Sequence, residues 1–232
     1  MENSKTTTTI GLGELLSMPM TPEEEERCAK LQQEALKKFK EQQDLKAKRN
    51  YTSLESKDWV ISFDKLKIED QNRVQIERLK KWHPGLNKGI VLRGAVGTGK
   101  STACKAIINR FASKTYRCFF INTADVMQKL KDSIDQKGVS ISDVMERFIS
   151  PDLLVLDDLG AEKSSEWAIE KLFLIFEKRV ALSKHTFFTT NLSSEDINSV
   201  YGPRIVDRLI EFCSWVKFEG TSFRKKMFEN EI

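Results

Sequence analysis

Histidine and cysteine are scarce in this chain of 232 residues, with two of the first and four of the second. Cys28, Cys104, Cys118 and Cys213 are scattered with no close pair, and His83 and His185 sit near none of them in sequence. That excludes zinc-site spacing and argues against a disulfide framework, leaving the cysteines as structural thiols. No apolar run approaches the length of a membrane span, so no membrane partner is expected. The N-terminus, MENSKTTTTIGLGELL, has neither the basic stretch nor the long apolar core of a secretory signal, and the expected compartment is the cytoplasm. Net charge is small, at +4, too little by itself to indicate nucleic-acid binding, although a local basic surface fits within it. Repeats and low-complexity segments are also lacking.

What remains is 40% hydrophobic and 31% charged, the balance of a soluble globular protein, and long enough for one well-cored domain with an appendage. Residues 22–50, PEEEERCAKLQQEALKKFKEQQDLKAKRN, contain no glycine and keep proline to the first position. They run from acids to bases, so their charges complement a helix dipole. Cys28, Leu31, Ala35, Leu36 and Phe39 form only a thin apolar stripe, which suits a solvated arm and a partner-binding helix equally. The following YTSLESKDWVISFDKLKIED reads as a linker into the core.

From residue 70 onward, helical and strand-like patterns alternate. Helices are expected at DQNRVQIERLKKWH, KSTACKAIINRFA, ADVMQKLKDSI, SISDVMERFI, SEWAIEKLFLIFEKRVAL and YGPRIVDRLIEF; strands are expected at GIVLRG, YRCFFIN, DLLVLDD, HTFFTTN and SWVKFEG. Short apolar runs bounded by turn residues and separated by helices indicate a parallel sheet covered on both faces, an α/β fold.

Directly after the first core strand comes GAVGTGKS, which matches G-x-x-x-x-G-K-[ST] in the strand–loop–helix context that the motif requires. Gly94, Gly97 and Gly99, with Ala95, Val96 and Thr98 between them, let backbone N–H groups converge on an anion, and the helix that follows adds its positive end. Lys100 brings a charge to the β- and γ-phosphates, Ser101 is placed for Mg2+, and Thr102 continues the motif. DLLVLDD supplies the other half of such a site: Asp157 and Asp158 emerge at the carboxyl end of a buried strand, where open α/β sheets bind ligands. Asp157 is expected to hold Mg2+ through water or Ser101, and Asp158 to polarise the attacking water. Asn191, closing the strand FFTTN, is expected at the same edge, where its amide orients that water; the alternative is a turn or helix-capping asparagine. In YGPRIVDRLIEF, Arg204 and Arg208 lie one turn apart. Such a pair balances Asp207 and Glu211 on its own helix or reaches a phosphate outside the molecule.

The order of GAVGTGKST, DLLVLDDLGAEKSSEWAIEKLF, TTNLSSEDI, GPRIVDRL and TSFRKK resembles the DnaC-type helicase loaders and the related IstB-type transposition helpers, both of the AAA+ superfamily of ATPases. The resemblance implies a five-stranded parallel sheet flanked by helices over residues 56–232, preceded by a partner-selecting helical arm over residues 1–55. It implies ATP and Mg2+ as cofactors, Asn191 as sensor 1, and Arg208 as an arginine finger completing the ATP site of an adjacent protomer, with Arg204 as its companion. The active species is then a homo-oligomer, a ring or spiral. Arg224 matches a terminal signature in which arginine senses the γ-phosphate, although a plain surface arginine fits as well. The segment ADVMQKLKDSIDQKGVSISDVMERF matches an extra helix that faces single-stranded DNA, making Lys129, Lys131 and Lys137 candidate phosphate contacts; the alternative is a solvated face beside Asp132 and Asp135.

Two departures bear on activity and partner. The catalytic acid of AAA+ proteins is often glutamate, so the shorter Asp158 fits slow turnover, and the arm lacks the Cys/His zinc module of some loaders. The partner implied is a replicative DNA helicase, delivered onto single-stranded DNA, or alternatively a transposase delivered to duplex DNA. A nucleotide-binding adaptor without catalysis is a third class, which the retained Lys100, Asp157, Asp158, Asn191 and Arg208 oppose.

Overall fold

The computed structural model describes residues 21–86, 89–113, 115–135, 140–160 and 165–223. The chain divides into two units, Met1–Asp44 and Leu45–Ile232. Helix α1, Pro22–Tyr51, carries Glu23, Glu24 and Glu25 in its first turn. Thr21 starts it reciprocally: the Glu24 N–H donates to Thr21 Oγ1 at 3.3 Å while the Thr21 N–H donates to Glu24 Oε2 at 2.9 Å, satisfying two otherwise orphaned donors. The apolar stripe read from the sequence is uncovered, with Leu31, Leu36 and Phe39 each more than half exposed.

The second unit runs α2 (Asp70–Lys80), β1 (Gly89–Arg93), α3 (Lys100–Phe111), β2 (Cys118–Asn122), α4 (Thr123–Asp135) and α5 (Ile141–Ile149). It continues with β3 (Leu153–Leu159), α6 (Glu166–Ala181), β4 (His185–Thr190), α7 (Ser194–Tyr201), α8 (Pro203–Phe212) and β5 (Cys213–Lys217). The strands form one sheet in the order β2-β3-β4-β1-β5, and every pair is parallel. Because side chains alternate across a strand, each strand feeds two cores. Ile90, Leu92 and Val155 pack with Cys104, Ile107 and Ile108 of α3, whereas Val91, Leu154 and Phe188 pack with Ile175, Ile197 and Leu209 of α6, α7 and α8. Truncating a fully buried member such as Ile107 to alanine would cost about 2–5 kcal/mol.

This topology fixes where a ligand can sit. The chain leaves β1 through α3 on one face and travels to the far edge at β2, while it leaves β4 through α7 and α8 on the other face and travels to β5. Adjacent strands whose connections depart to opposite faces open a crevice at their carboxyl ends. Here that crevice lies between β1 and β4.

Residues 51–70, expected to be a linker, are instead built into the core. Thr52 bridges to Cys118 in parallel, and the Ser53 hydroxyl both donates to Phe120 O at 2.7 Å and accepts from Phe120 N at 2.6 Å. Leu54 and Phe63 are buried, Lys105 Nζ reaches Asp58 Oδ2 at 2.8 Å, and Asn109 donates to Asp58 O and Ile61 O at 2.8 Å each. The opposite edge is served by α2, where Gln75 Nε2 donates to Lys217 O at 2.9 Å and Arg78 approaches Trp215 O at 3.5 Å.

A buried cation ties the rest together. Arg179 of α6 has no accessible surface. Its Nη1 donates to the carbonyls of Phe148, Ile149 and Pro151 at 2.8–3.0 Å, its Nε donates to Thr186 Oγ1 at 2.9 Å, and its Nη2 serves His185 O. Burial pulls its pKa down to about 9.

YGPRIVDRLIEF, read as one helix, is divided. Tyr201 ends α7, Gly202 takes φ +81°, and Pro203 starts α8 at the position where a missing N–H does no harm.

Candidate functional site

Strand β1 delivers the glycine-rich loop to the crevice. Gly94 N donates to Thr190 O at 3.2 Å, which pins the start of the loop to the end of β4. Two of its glycines are required by space as well as by dihedral angle. Gly94 (φ +147°) would place a Cβ 2.0 Å from Phe218 O, and Gly97 (φ +80°) would place one 2.0 Å from Ser222 Oγ. The segment after β5 closes over the loop, with Phe218 N bonded to Arg93 O at 2.7 Å and Phe223 N to Gly97 O at 2.9 Å. Thr98 is buried and donates to Ala95 O at 2.9 Å, while Ala95 and Val96 are exposed at the tip. Gly99 caps α3, so Ser101 and Thr102 fall in its first turn, Ser101 half-buried and Thr102 exposed.

Lys100 is buried and turned back under the loop. Its Nζ donates to Gly94 O at 2.7 Å, Ala95 O at 2.8 Å and Asn191 Oδ1 at 2.8 Å. The other end of the Asn191 amide donates to Asp158 Oδ1 at 2.9 Å. The Asn191 amide, Lys100 and the candidate catalytic acid Asp158 thus form one chain of hydrogen bonds linking the start of α3 with the ends of β4 and β3.

The acids owe their placement to an irregularity. Leu156 pairs with Phe188 but Leu159 pairs with Thr190, so Asp157 and Asp158 together stand opposite Thr189. Such a bulge bends the strand and re-aims its side chains. Asp158 accordingly sits in the left-handed region at φ +58°. Thr189 Oγ1 donates to Asp157 Oδ1 at 2.6 Å and accepts from Asp158 N at 2.9 Å, while Thr123 Oγ1 donates to Asp157 O at 2.9 Å. Burial and then the Asp157 charge push the Cys104 thiol well above its ordinary range, keeping it an inert core group. Thr189 escaped the sequence reading. The strand buries three threonines, Thr186, Thr189 and Thr190, and nothing in the sequence sets Thr189 apart from the other two.

Arg204 and Arg208 are not brought to this crevice within the chain. The Arg204 guanidinium lies 4.3 Å from the centre of the Phe173 ring. Arg208 donates to Glu211 Oε2 at 2.8 Å, and its Nε stands 3.0 Å from Glu177 Oε1, close enough for an ion pair but out of line for a hydrogen bond. Asp207 pairs with neither arginine among the described residues. Arg224 and Lys137 lie outside the described residues. Lys129 and Lys131 are exposed on α4, where Asp132 accepts from Gln128 Nε2 at 2.6 Å. Lys129, Arg117 and Arg147 border a cleft of about 620 Å³ whose walls include Phe119, Val144 and Phe148.

A phosphate loop after β1, paired acids after β3 and an amide after β4, set on the strand order 2-3-4-1-5, define an AAA+ nucleotide-binding domain. A family model described as IstB-like ATP binding protein matches residues 10–230, and the chain belongs to that family. The replicative helicase loader DnaC of Escherichia coli (strain K12) is 28% identical over 142 residues, 61% of this chain and 58% of the loader. This chain therefore spans little more than half the length of that curated relative. A crystal structure of the DnaC helicase loader superposes with a TM-score of 0.62 at 24% identity, covering 71% of this chain and 100% of that one. The replication initiator DnaA bound to AMPPCP and single-stranded DNA gives a TM-score of 0.64 at 23% identity, covering 77% of this chain and 55% of DnaA. Both structural likenesses are likenesses of fold. Among the described residues, no helix is long and apolar enough to cross a membrane.

Proposed function

We propose that this chain is an ATP-hydrolysing helicase loader of DNA replication, which binds single-stranded DNA and delivers a replicative helicase. The observation that carries the reading is the hydrogen-bonded chain Lys100–Asn191–Asp158 at the crevice, in a relative of replicative helicase loaders. An arriving phosphate offers Lys100 charged acceptors in place of the Gly94 and Ala95 carbonyls and the Asn191 amide. Asn191, released from the ammonium, then orients the water, and Asp158 accepts a hydrogen bond from it as it attacks the γ-phosphate in line.

The Ser101 hydroxyl and the Asp157 carboxylate are hard oxygen donors, and no cluster of three or more His, Cys, Asp or Glu among the described residues would hold a metal by itself. Such a donor pair fits Mg2+, which keeps several waters and shares phosphate oxygens. Bound there, Mg2+ would offset phosphate charge.

The finger role falls to Arg208, with Arg204 beside it, acting on the ATP of an adjacent protomer; their pairing with Glu177, Glu211 and Phe173 leaves them outside their own chain's crevice. Arg224 is proposed as a γ-phosphate sensor. The arm, taken from the sequence as residues 1–55, grips the helicase through its uncovered stripe, residues 56–232 form the motor together with Thr52, Ser53 and Leu54, which pack into its core, and the compartment is the cytoplasm. Lys129, Lys131 and Lys137 take DNA phosphates. The test is ATP turnover with and without single-stranded DNA and with the host's replicative helicase, paired with a pull-down of that helicase. Stimulation together with a complex supports the loader, and neither with any replicative helicase removes it.

The family's IstB-like description supports a second reading, a transposition helper acting on duplex DNA with a transposase. Oligomerisation that needs duplex DNA, with capture of a transposase and no helicase, would establish it instead.

A further inference from the structure

We infer that Thr189 is a positioning residue which sets Asp157 and Asp158 in their working places, an inference that rests on the proposed ATPase reading. The bulge puts two residues of β3 opposite one of β4, and the single residue facing the doubled pair is Thr189. Its hydroxyl serves both. The one proton it owns goes to Asp157 Oδ1 at 2.6 Å, within the range of a charge-assisted O–H···O bond, and a lone pair takes the Asp158 N–H at 2.9 Å. Thr189 is 1% exposed, so water does not compete for either bond.

Each bond has a separate consequence. The donated proton occupies one lone pair of Asp157 Oδ1 and holds the carboxylate rotamer. The accepted N–H holds Asp158 at φ +58°, a conformation that a residue with a Cβ seldom keeps without such a partner. In that conformation the Asp158 carboxylate meets the Asn191 amide. Valine would fill the same space with neither bond, and alanine would remove the methyl along with the hydroxyl. Serine removes only the methyl. The Ser/Ala comparison therefore isolates the hydroxyl.

The experiment makes Thr189→Ser, Thr189→Ala and Thr189→Val in the full chain. It reads three quantities: hydrogen exchange of the segment containing the Asp158 amide in nucleotide-free protein, affinity for a fluorescent ATP analogue in EDTA, and the Mg2+ dependence of kcat and KM. Groups that hold metal ligands and catalytic side chains in place change activity or metal affinity by about 10–100-fold when removed. Thr189→Ala and Thr189→Val are expected to speed exchange at Asp158, lower kcat about 10–100-fold and raise the Mg2+ needed for half-maximal turnover, with analogue affinity in EDTA held within about twofold. Thr189→Ser is expected to stay close to wild type in all three. Exchange and kcat that match between Ser and Ala would overturn the inference, as would faster exchange in Ala with kcat and Mg2+ demand unchanged. The exchange comparison needs no nucleotide, so a wild-type chain without turnover defeats the ATPase reading while the hydroxyl's hold on Asp158 is still judged.

Discussion

Replacing Arg179 with leucine tests whether the buried guanidinium organises the base of the sheet. In the native chain its Nη1 alone serves three carbonyls, those of Phe148 and Ile149 at the end of α5 and of Pro151 before β3. Leucine leaves all three without that donor in a dry environment, and an unsatisfied buried acceptor costs about 1–3 kcal/mol. Release of a buried cation offsets part of this, since burial already disfavours the charged form of Arg179. A net loss of about 3–5 kcal/mol is expected, comparable to breaking a buried ionic network from one side. For a domain of this size each kcal/mol is worth about 2–4 °C, so the melting temperature should fall by about 10 °C. Arg179→Lys should recover little, because a single ammonium lacks the planar fork that spans carbonyls on two sides. Thermal melts followed by circular dichroism supply the number. A leucine variant melting within about 2 °C of wild type would refute the reasoning, and would mean that water or repacking satisfies those carbonyls.

Three further outcomes are expected. Lys100→Ala removes a unit charge about 4 Å from a phosphate, about 4 kcal/mol at an effective dielectric of 20, so titration with a fluorescent nucleotide should show a roughly 10³-fold loss of affinity. Arg208→Ala should keep nucleotide binding while lowering turnover by about 10³-fold or more, and mixing it with Lys100→Ala protein should restore part of the turnover, because each subunit supplies what the other lacks. His185 donates from Nε2 to Leu86 O at 2.7 Å and accepts at Nδ1 from the Tyr116 hydroxyl at 3.2 Å, and burial lowers its pKa below 6.5. The unfolded chain therefore binds the proton first: stability is intact above pH 6.5 and declines as pH falls toward the lower folded value. Denaturation midpoints measured from pH 7.5 to 5 should drop for wild type and less for His185→Gln, and parallel curves would exclude His185 as the cause.

The sequence was most legible where chemistry demands a fixed run of residue types. GAVGTGKS, the Asp157–Asp158 pair and Asn191 each close a buried strand, and once the strands are parallel their ends share an edge, so hydrogen bonds from Lys100 to Asn191 to Asp158 follow from order alone. Thr189 was not legible, because its role depends on a one-residue slip between β3 and β4 that no periodicity records. Residues 51–70 read as a linker since their apolar residues follow neither a helical nor a strand period, yet Leu54 and Phe63 are buried and Asp58 is held by Lys105. The break at Gly202–Pro203 was legible in principle: Gly-Pro is a turn signal, and Ser193 with Asp196 forms a capping box at the start of α7. The strong amphipathic pattern of α8 drew the helix two residues too far back, to Tyr201.

The treatment of the sheet margins carries a consequence for how copies of this protein can meet. On one border the Ser53 hydroxyl occupies both backbone groups of Phe120, and on the other Gln75 and Arg78 approach the carbonyls of Lys217 and Trp215. A strand from a neighbour would find those sites taken, so the route by which parallel sheets fuse end to end into fibres is obstructed at both borders. Any copies that do meet would then do so through helices and loops, whose contacts can form and dissolve without unravelling a ladder.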